Sequence, residues 1–231
     1  MYLEQNIKGY CQLNGLDYLA VLSDFDVEHP FDLSINELET FAEEMNSTLF
    51  NLLYSPIFPY DYLKNKLKNI KFLVLDVDGV MTDAGMYYTE NGDQIKKFNA
   101  KDGMGIQQLL KNNIEIGIIS SGFYGKTIEK RAEILKIKYC YVGREEKISI
   151  LKNWMNELHL DWENIAIIGD DVNDLDIMSM AGFSACPSDS VVQVKKVVNL
   201  TLNKKGGEGC IREFIDYYFL PSLLNNSPKE N

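Results

Sequence analysis

KFLVLDVDGVMTD, residues 71–83, is an apolar run that ends in two aspartates one residue apart. Consecutive apolar residues without polar alternation mark a strand buried on both faces, as in a parallel sheet covered by helices. In extended backbone, residues i and i+2 project to the same side. Asp76 and Asp78 therefore converge on one point. Two carboxylates that close raise one another's pKa unless a cation lies between them, and a hard, oxygen-seeking ion such as Mg²⁺ meets that need. Gly79 permits the sharp turn that follows. A weaker echo, AVLSDFDVEH at 20–29, carries Asp24 and Asp26 but no glycine after the pair and no Thr-Asp. It reads as ordinary acids ending a strand over 16–27.

Outward from residue 71 the chain alternates. Apolar strand-like runs occupy 72–76, 114–120, 138–143, 165–170, 183–186 and 197–200. Helical patterns lie near 103–112, 125–136, 145–159, 173–181 and 208–219. This order predicts an α/β fold, a doubly wound parallel sheet of Rossmann type. In such sheets ligands bind beyond the carboxyl ends of the strands. The exception is MYYTENGDQIKKF, 86–98, where Asn91-Gly92 between two alternating stretches predicts a β-hairpin inserted at that edge. Residues 1–65 read differently: SINELETFAEEMNSTLFNLLY, 34–54, predicts one helix opened by a Ser34/Glu37 capping box. Two prolines in SPIFPYD, 55–61, predict a boundary. The tail 225–231 is expected to be disordered.

Bulk composition narrows the function. Twenty-three Lys and Arg against 34 Asp and Glu leave a net charge of −11. Sequence-independent nucleic-acid binding rests on basic residues and is not expected. A phosphate site in so acidic a chain needs a metal or a local basic cluster. No apolar run is long enough for a membrane span, and MYLEQNIKGYCQLNG lacks the pattern of a secretory leader. Four scattered cysteines with no CxxC read as reduced structural thiols of a cytoplasmic protein.

The strand ends collect a specific kit. The first delivers Asp76 and Asp78. The second delivers Ser120, Ser121 and Gly122, hydroxyls and amides suited to a phosphate at a strand-to-helix turn. The third region offers Arg144 and Lys147, the latter at a helix start where a base is disfavoured. The fourth brings Asp170, Asp171 and Asp174. A carboxylate can attack phosphorus. A second can protonate the leaving oxygen and then deprotonate water. A lysine, a hydroxyl and Mg²⁺ can neutralise the transferring group. Asp171 and Asp174 read as supports for loops rather than as metal ligands.

LVLDVDGVMTD, IISSG, Lys147 and GDDVND together resemble the four motifs of the haloacid dehalogenase superfamily. DVDGVMTDAGMYYTENGDQIKKFNAKDGMGIQQL, KTIEKRAEIL and GGEGCIRE narrow the resemblance to its small capless sugar-acid phosphatases. These act on 3-deoxy-D-manno-octulosonate 8-phosphate or on acylneuraminate 9-phosphates. The resemblance implies Asp76 as nucleophile and Mg²⁺ ligand. It implies Asp78 as acid/base with its backbone carbonyl on the metal, and Asp170 as third ligand. Lys147 would hold the phosphoryl group. Asn99, Ala100, Lys101, Asp102 and Gly103 match a substrate loop, Arg131 a substrate-binding arginine, and the hairpin a flap. It further implies a homotetramer in which a neighbouring subunit completes the active site, approached by the tail element Lys204–Glu213. Counting forward from Asp102 selects Ser120 as the phosphate-binding hydroxyl and counting back from Arg131 selects Ser121. An insertion fits the intervening loop, which favours Ser120. That loop, SSGFYGK, lacks the arginine usual in the octulosonate enzymes.

Two other classes compete with this reading. Receiver domains carry their phospho-acceptor on the third strand, and KYCYVG brings no aspartate there. A regulatory or assembly partner of a sugar-acid cytidylyltransferase would use residues 1–65, which have no counterpart in the short family members, as a docking element.

Overall fold

The computed structural model describes all residues except 1, 46, 55–60, 123–124 and 225–231. The expected boundary at 55–61, save its last residue, and the tail 225–231 lie outside the described residues. The chain divides into two compact units, Met1–Asn65 and Lys66–Asn231.

The first unit is helical: α1 Leu3–Leu13, α2 Tyr18–Asp24, α3 Ile35–Glu44 and α4 Leu49–Tyr54, with α5 Asp61–Leu67 running into the second unit. Leu3, Ile7, Phe41 and Leu52 form its core. The expected strand over 16–27 is instead α2. Asp17 caps it by accepting from the Ala20 amide at 2.8 Å, and that cap commits the segment to a helix. Asp24 and Asp26 consequently sit exposed at a helix end. The single helix expected over 34–54 is two, α3 ending at the cap Met45. The Ser34/Glu37 capping box is present. This unit holds eleven acidic residues against Lys8 and Lys64, so it carries most of the chain's net negative charge.

The second unit is a six-stranded parallel sheet, with β1 Phe72–Leu75, β4 Glu115–Ser120, β5 Tyr139–Val142, β6 Ile165–Ile168, β7 Phe183–Cys186 and β8 Leu200–Thr201. Its order is β5-β4-β1-β6-β7-β8. The apolar run read from the sequence is thus the central strand β1, buried along its whole length. It pairs with β4 and β6 in register, Leu75 beside Ile118 and Ile168. Phe72, Val74, Ile119, Ile165 and Ile167 pack against Leu151 and Met155 of helix α8, Lys147–Leu158. Chain order reverses next to β1, so its carboxyl end opens at the topological switch point. The last expected strand, 197–200, is displaced to β8, because the Val197 and Val198 amides donate to the Val194 carbonyl at the end of the helical turn α10, Val192–Lys195.

The hairpin is present as β2 Tyr87–Tyr88 and β3 Gln94–Ile95, turned at Gly92, which has φ +85°. Helices α6 Ala100–Lys111, α7 Lys126–Leu135 and α9 Leu175–Met180 follow β3, β4 and β6 in sequence. After β8 the glycine-rich segment returns to the edge where β1 ends. The Gly207 amide donates to the Val80 carbonyl at 2.9 Å. Gly206 is pressed so close that a Cβ there would stand 1.9 Å from the Gly79 carbonyl oxygen. The segment then enters α11, Cys210–Phe214, which continues through a π-helical turn into α12, Leu220–Leu224.

No side chain fits at Gly206 without separating two backbones. Gly206→Ala is expected to lower stability by about 1–3 kcal/mol and to reduce activity at least tenfold, read by thermal melting and turnover on the same preparation.

Candidate active site

The turn after β1 places the two aspartates. Asp76 leaves the strand extended, its amide donating to the Ile168 carbonyl at 3.0 Å. Gly79 then takes φ +91°. A Cβ on Gly79 would lie 2.1 Å from Asp170 Oδ2, so glycine is required twice, for its conformation and for room.

At the floor, Lys147 Nζ donates to Asp76 Oδ1 at 2.6 Å and to Asp174 Oδ1 at 2.7 Å. All three side chains are buried. Burial disfavours the lysine's charge, but the two carboxylates more than offset it and hold its pKa up. Burial, and then the Asp174 charge, push the Asp76 carboxyl up to about 7. Asp170 is pushed up to about 8, first by burial and then by Asp76 and Asp174.

Carboxylate oxygens of Asp76, Asp170 and Asp174 all lie within 4.8 Å of one another. Asp170 Oδ1 is buried and receives no hydrogen bond within the described residues. Hard oxygen donors gathered this closely, with one oxygen unclaimed, fit a divalent cation. Asp174 also accepts from the Asp170 amide at 3.2 Å. It therefore positions both Lys147 and Asp170, a support role alongside its place in the acidic cluster. Asp171 is exposed and accepts from the Val172 amide at 2.7 Å.

A cleft of about 420 Å³ opens above this floor. Asp76, Asp78, Asp170 and Asp171 line its acidic side, and Ser120, Ser121 and Gly122 line the turn after β4. Ser120 is buried at the strand end, its Oγ accepting from the Gly122 amide at 3.2 Å. Ser121 Oγ accepts from Asn173 at 3.5 Å. Met86, Tyr88 and Gln94 of the hairpin, together with Arg144, form the outer wall. Phe123 and Tyr124 of the same turn lie outside the described residues.

Six residues expected at the substrate do not line this cleft: Asn99, Ala100, Lys101, Asp102, Gly103 and Arg131. The expected loop is instead the cap and first turn of α6, because the Asn99 side chain accepts from the Lys101 amide at 2.8 Å. Asn99 Nδ2 is committed as well, donating to the Gly207 carbonyl at 3.2 Å. Asp102 is buried and accepts from the Arg212 amide at 2.7 Å, tying α6 to α11. Burial raises its pKa to about 6. Arg131 donates to the Asn99 carbonyl at 3.2 Å and stacks over Phe98. Gly103 leaves room for that guanidinium. Within this chain, then, the segment 99–103 and Arg131 hold the glycine-rich element Lys204–Glu213 against its own active-site loop.

One residue near the reacting groups was missed. Lys96, just beyond β3, forms an ion pair with Asp78 Oδ1, and its side chain is 2% exposed. Thr82 Oγ1 donates to the same oxygen at 3.4 Å. A neighbouring pair, Lys97 with Asp83 at 2.6 Å, fastens the hairpin to the end of the loop and lowers the Asp83 pKa. The signal was present in the doublet at 96–97, but lysines in a polar hairpin read as solvated.

A model of the haloacid dehalogenase-like hydrolase family matches residues 141–214. The chain belongs to the haloacid dehalogenase-like hydrolases and is a phosphoric monoester hydrolase. Among its curated relatives is the 3-deoxy-D-manno-octulosonate 8-phosphate phosphatase KdsC of Salmonella typhimurium, 35% identical over 167 residues, 72% of this chain and 87% of that protein. The crystal structure of the phosphatase of that name from Yersinia pestis matches with a TM-score of 0.68 at 32% identity, covering 71% of this chain and 87% of that one. The Moraxella catarrhalis phosphatase, solved in complex with magnesium ion, phosphate ion and KDO, matches with a TM-score of 0.68 at 30% identity, covering 71% of this chain and 94% of that one.

Two outcomes follow from this geometry. Asp76 and Asp170 bind protons in the fold at pH values where the unfolded chain has released them. Without metal, stability should therefore fall as pH rises from about 5 to about 8; melting in a chelator across that range reads it, and added Mg²⁺ should remove the trend. Lys96→Met frees the Asp78 carboxylate. It should lower kcat about tenfold or more with KM changed less than about threefold, measured by steady-state phosphate release.

Proposed function

We propose that the chain is a Mg²⁺-dependent phosphatase that removes the terminal phosphate of an eight-carbon keto sugar acid, 3-deoxy-D-manno-octulosonate 8-phosphate, through an aspartyl-phosphate on Asp76. The observation that carries this reading is the buried Lys147 bridging Asp76 and Asp174 beside the unclaimed oxygen of Asp170. The relatives that share this part of the chain bear that substrate in their names.

Asp76 attacks phosphorus through a carboxylate oxygen, and the bond from phosphorus to the sugar oxygen breaks. Asp78 gives its proton to that leaving oxygen. Asp78 then takes a proton from water, whose oxygen attacks the same phosphorus and releases the Asp76 carboxylate and inorganic phosphate. Lys147 holds the Asp76 oxygen in place and offsets negative charge on the transferring group. Ser120, with Ser121 and the Gly122 amide, takes the phosphoryl oxygens. Mg²⁺, held by Asp76, Asp170 and the backbone carbonyl of Asp78, would supply the charge that lets a carboxylate meet a phosphate. Lys96 positions Asp78.

We assign catalysis to residues 66–220. We place the enzyme in the cytoplasm, in keeping with four free cysteines; among the described residues no helix is long and apolar enough to cross a membrane. We also propose a homotetramer in which a neighbouring subunit completes the active site.

A phosphate-release screen over octulosonate 8-phosphate, acylneuraminate 9-phosphate and hexose phosphates, with Mg²⁺ or a chelator, tests the reading. It predicts highest kcat/KM on octulosonate 8-phosphate, loss of turnover in chelator, and no turnover by Asp76→Asn. Equal slow rates on all substrates would defeat it; preference for the acylneuraminate ester would move it to the nine-carbon acid.

A further inference from the structure

Asp76 and Asp170 stand on two separate loops, one after β1 and one after β6. A closed ring of contacts links those loops. The Asp170 carboxylate occupies the space that a side chain on Gly79 would need. The Gly79 carbonyl is in turn covered by the Gly206 backbone. The Gly206 amide donates to Asp189 Oδ1 at 3.0 Å. Asp189 lies in the turn after β7, and two residues further on the Val191 amide donates to the Asp170 carbonyl at 3.0 Å. The ring thus returns to Asp170.

Of the two hydrogen bonds in this ring, the one at Asp189 is made by a side chain. Asp189 is exposed and does not line the cleft. A second tie joins the same two segments, since the Ser188 amide donates to the Lys204 carbonyl at 3.0 Å. Loss of the Asp189 side chain therefore loosens the ring without opening it, and its exposure means that truncation leaves no cavity in the core.

We infer that Asp189 is a positioning residue that raises the affinity for a divalent cation by holding the Asp170 loop in register with the Asp76–Gly79 turn. This rests on the metal ligands proposed above. Groups that orient a metal's ligands govern its affinity without touching it. Here the influence passes through backbone, from the Asp189 oxygen to Gly206 and Gly79 on one side and to Asp170 on the other. The place of the acceptor oxygen decides the effect. A carboxylate that merely attracted the cation from a distance would act through its charge instead. Asparagine separates the two roles, because it keeps an acceptor oxygen and removes the charge.

The test uses the full chain stripped of metal and titrated with Mg²⁺ by isothermal calorimetry, unaltered and as Asp189→Ala and Asp189→Asn. For Asp189→Ala the Kd for Mg²⁺ should rise about fivefold or more, the scale of one lost hydrogen bond. For Asp189→Asn it should stay within about twofold. In both variants kcat at saturating Mg²⁺ should change less than about threefold, and the Mg²⁺ concentration for half-maximal rate should follow the calorimetric Kd. A smaller rise for Asp189→Ala overturns the inference, whatever happens to its metal-free melting temperature, and leaves Asp189 a purely structural tie. Asp189→Asn binding as weakly as Asp189→Ala also overturns it and assigns the effect to charge. If the unaltered chain binds no Mg²⁺, the metal reading falls and the inference with it; Mg²⁺ binding by the unaltered chain that neither variant moves defeats the role of Asp189 alone.

Discussion

One buried lysine holds the active edge of this molecule together. Lys147 reaches from the first turn of α8 to the ends of two other elements, touching Asp76 after β1 and Asp174 after β6. Removing a charge from water costs several kcal/mol, and a buried ion must be matched or neutralised. Here three carboxylates and one ammonium share a small volume. The ammonium satisfies two of them, and Asp170 is left with an oxygen that no described protein group serves. The imbalance amounts to a demand for a cation, which the raised pKa values of Asp76 and Asp170 express in its absence. The proposed nucleophile, phosphate anchor and metal ligand thus share a single electrostatic constraint.

The fold supplies that constraint cheaply because of where the sheet reverses. A parallel sheet presents all its carboxyl ends on one side, and β1, at the centre, has neighbours on both flanks. Two glycines then close the turn. Gly79 yields its side-chain space to Asp170, and Gly206 presses its backbone onto the Gly79 carbonyl from the far end of the chain. The tail segment is in turn held by Asn99, by Asp102 through the Arg212 amide, and by Glu213, which accepts from the Asn203 and Lys204 amides. Asn99 and Asp102, expected at the substrate, thus also clamp the tail segment within their own chain.

The sequence carried the sheet and the reactive floor because both rest on local rules. An apolar run ending in Asp-x-Asp is readable as a strand end, and a lysine at a helix start stands out against the helix dipole. What escaped depends on distant partners. Lys96 is an ordinary hairpin lysine until Asp78, eighteen residues away, is set against it. Asp102 meets its partner across 110 residues. The segment 16–27 failed for the opposite reason: its leucines fit strand or helix equally, and one capping aspartate decided the outcome. The glycines were legible as turn formers, but the backbone approach at Gly206 was not, since no local pattern reports what a chain will press against.

Covalent phosphorylation of Asp76 is the step on which the proposed function turns. Rapid mixing with octulosonate 8-phosphate and Mg²⁺, acid quench within the first turnover, digestion and mass spectrometry read it directly. A phosphoryl group is expected on the peptide that carries Asp76, formed and lost at rates compatible with turnover and stabilised when Asp78 is replaced by asparagine. Substrate consumed at the full rate with that peptide unmodified throughout would contradict it.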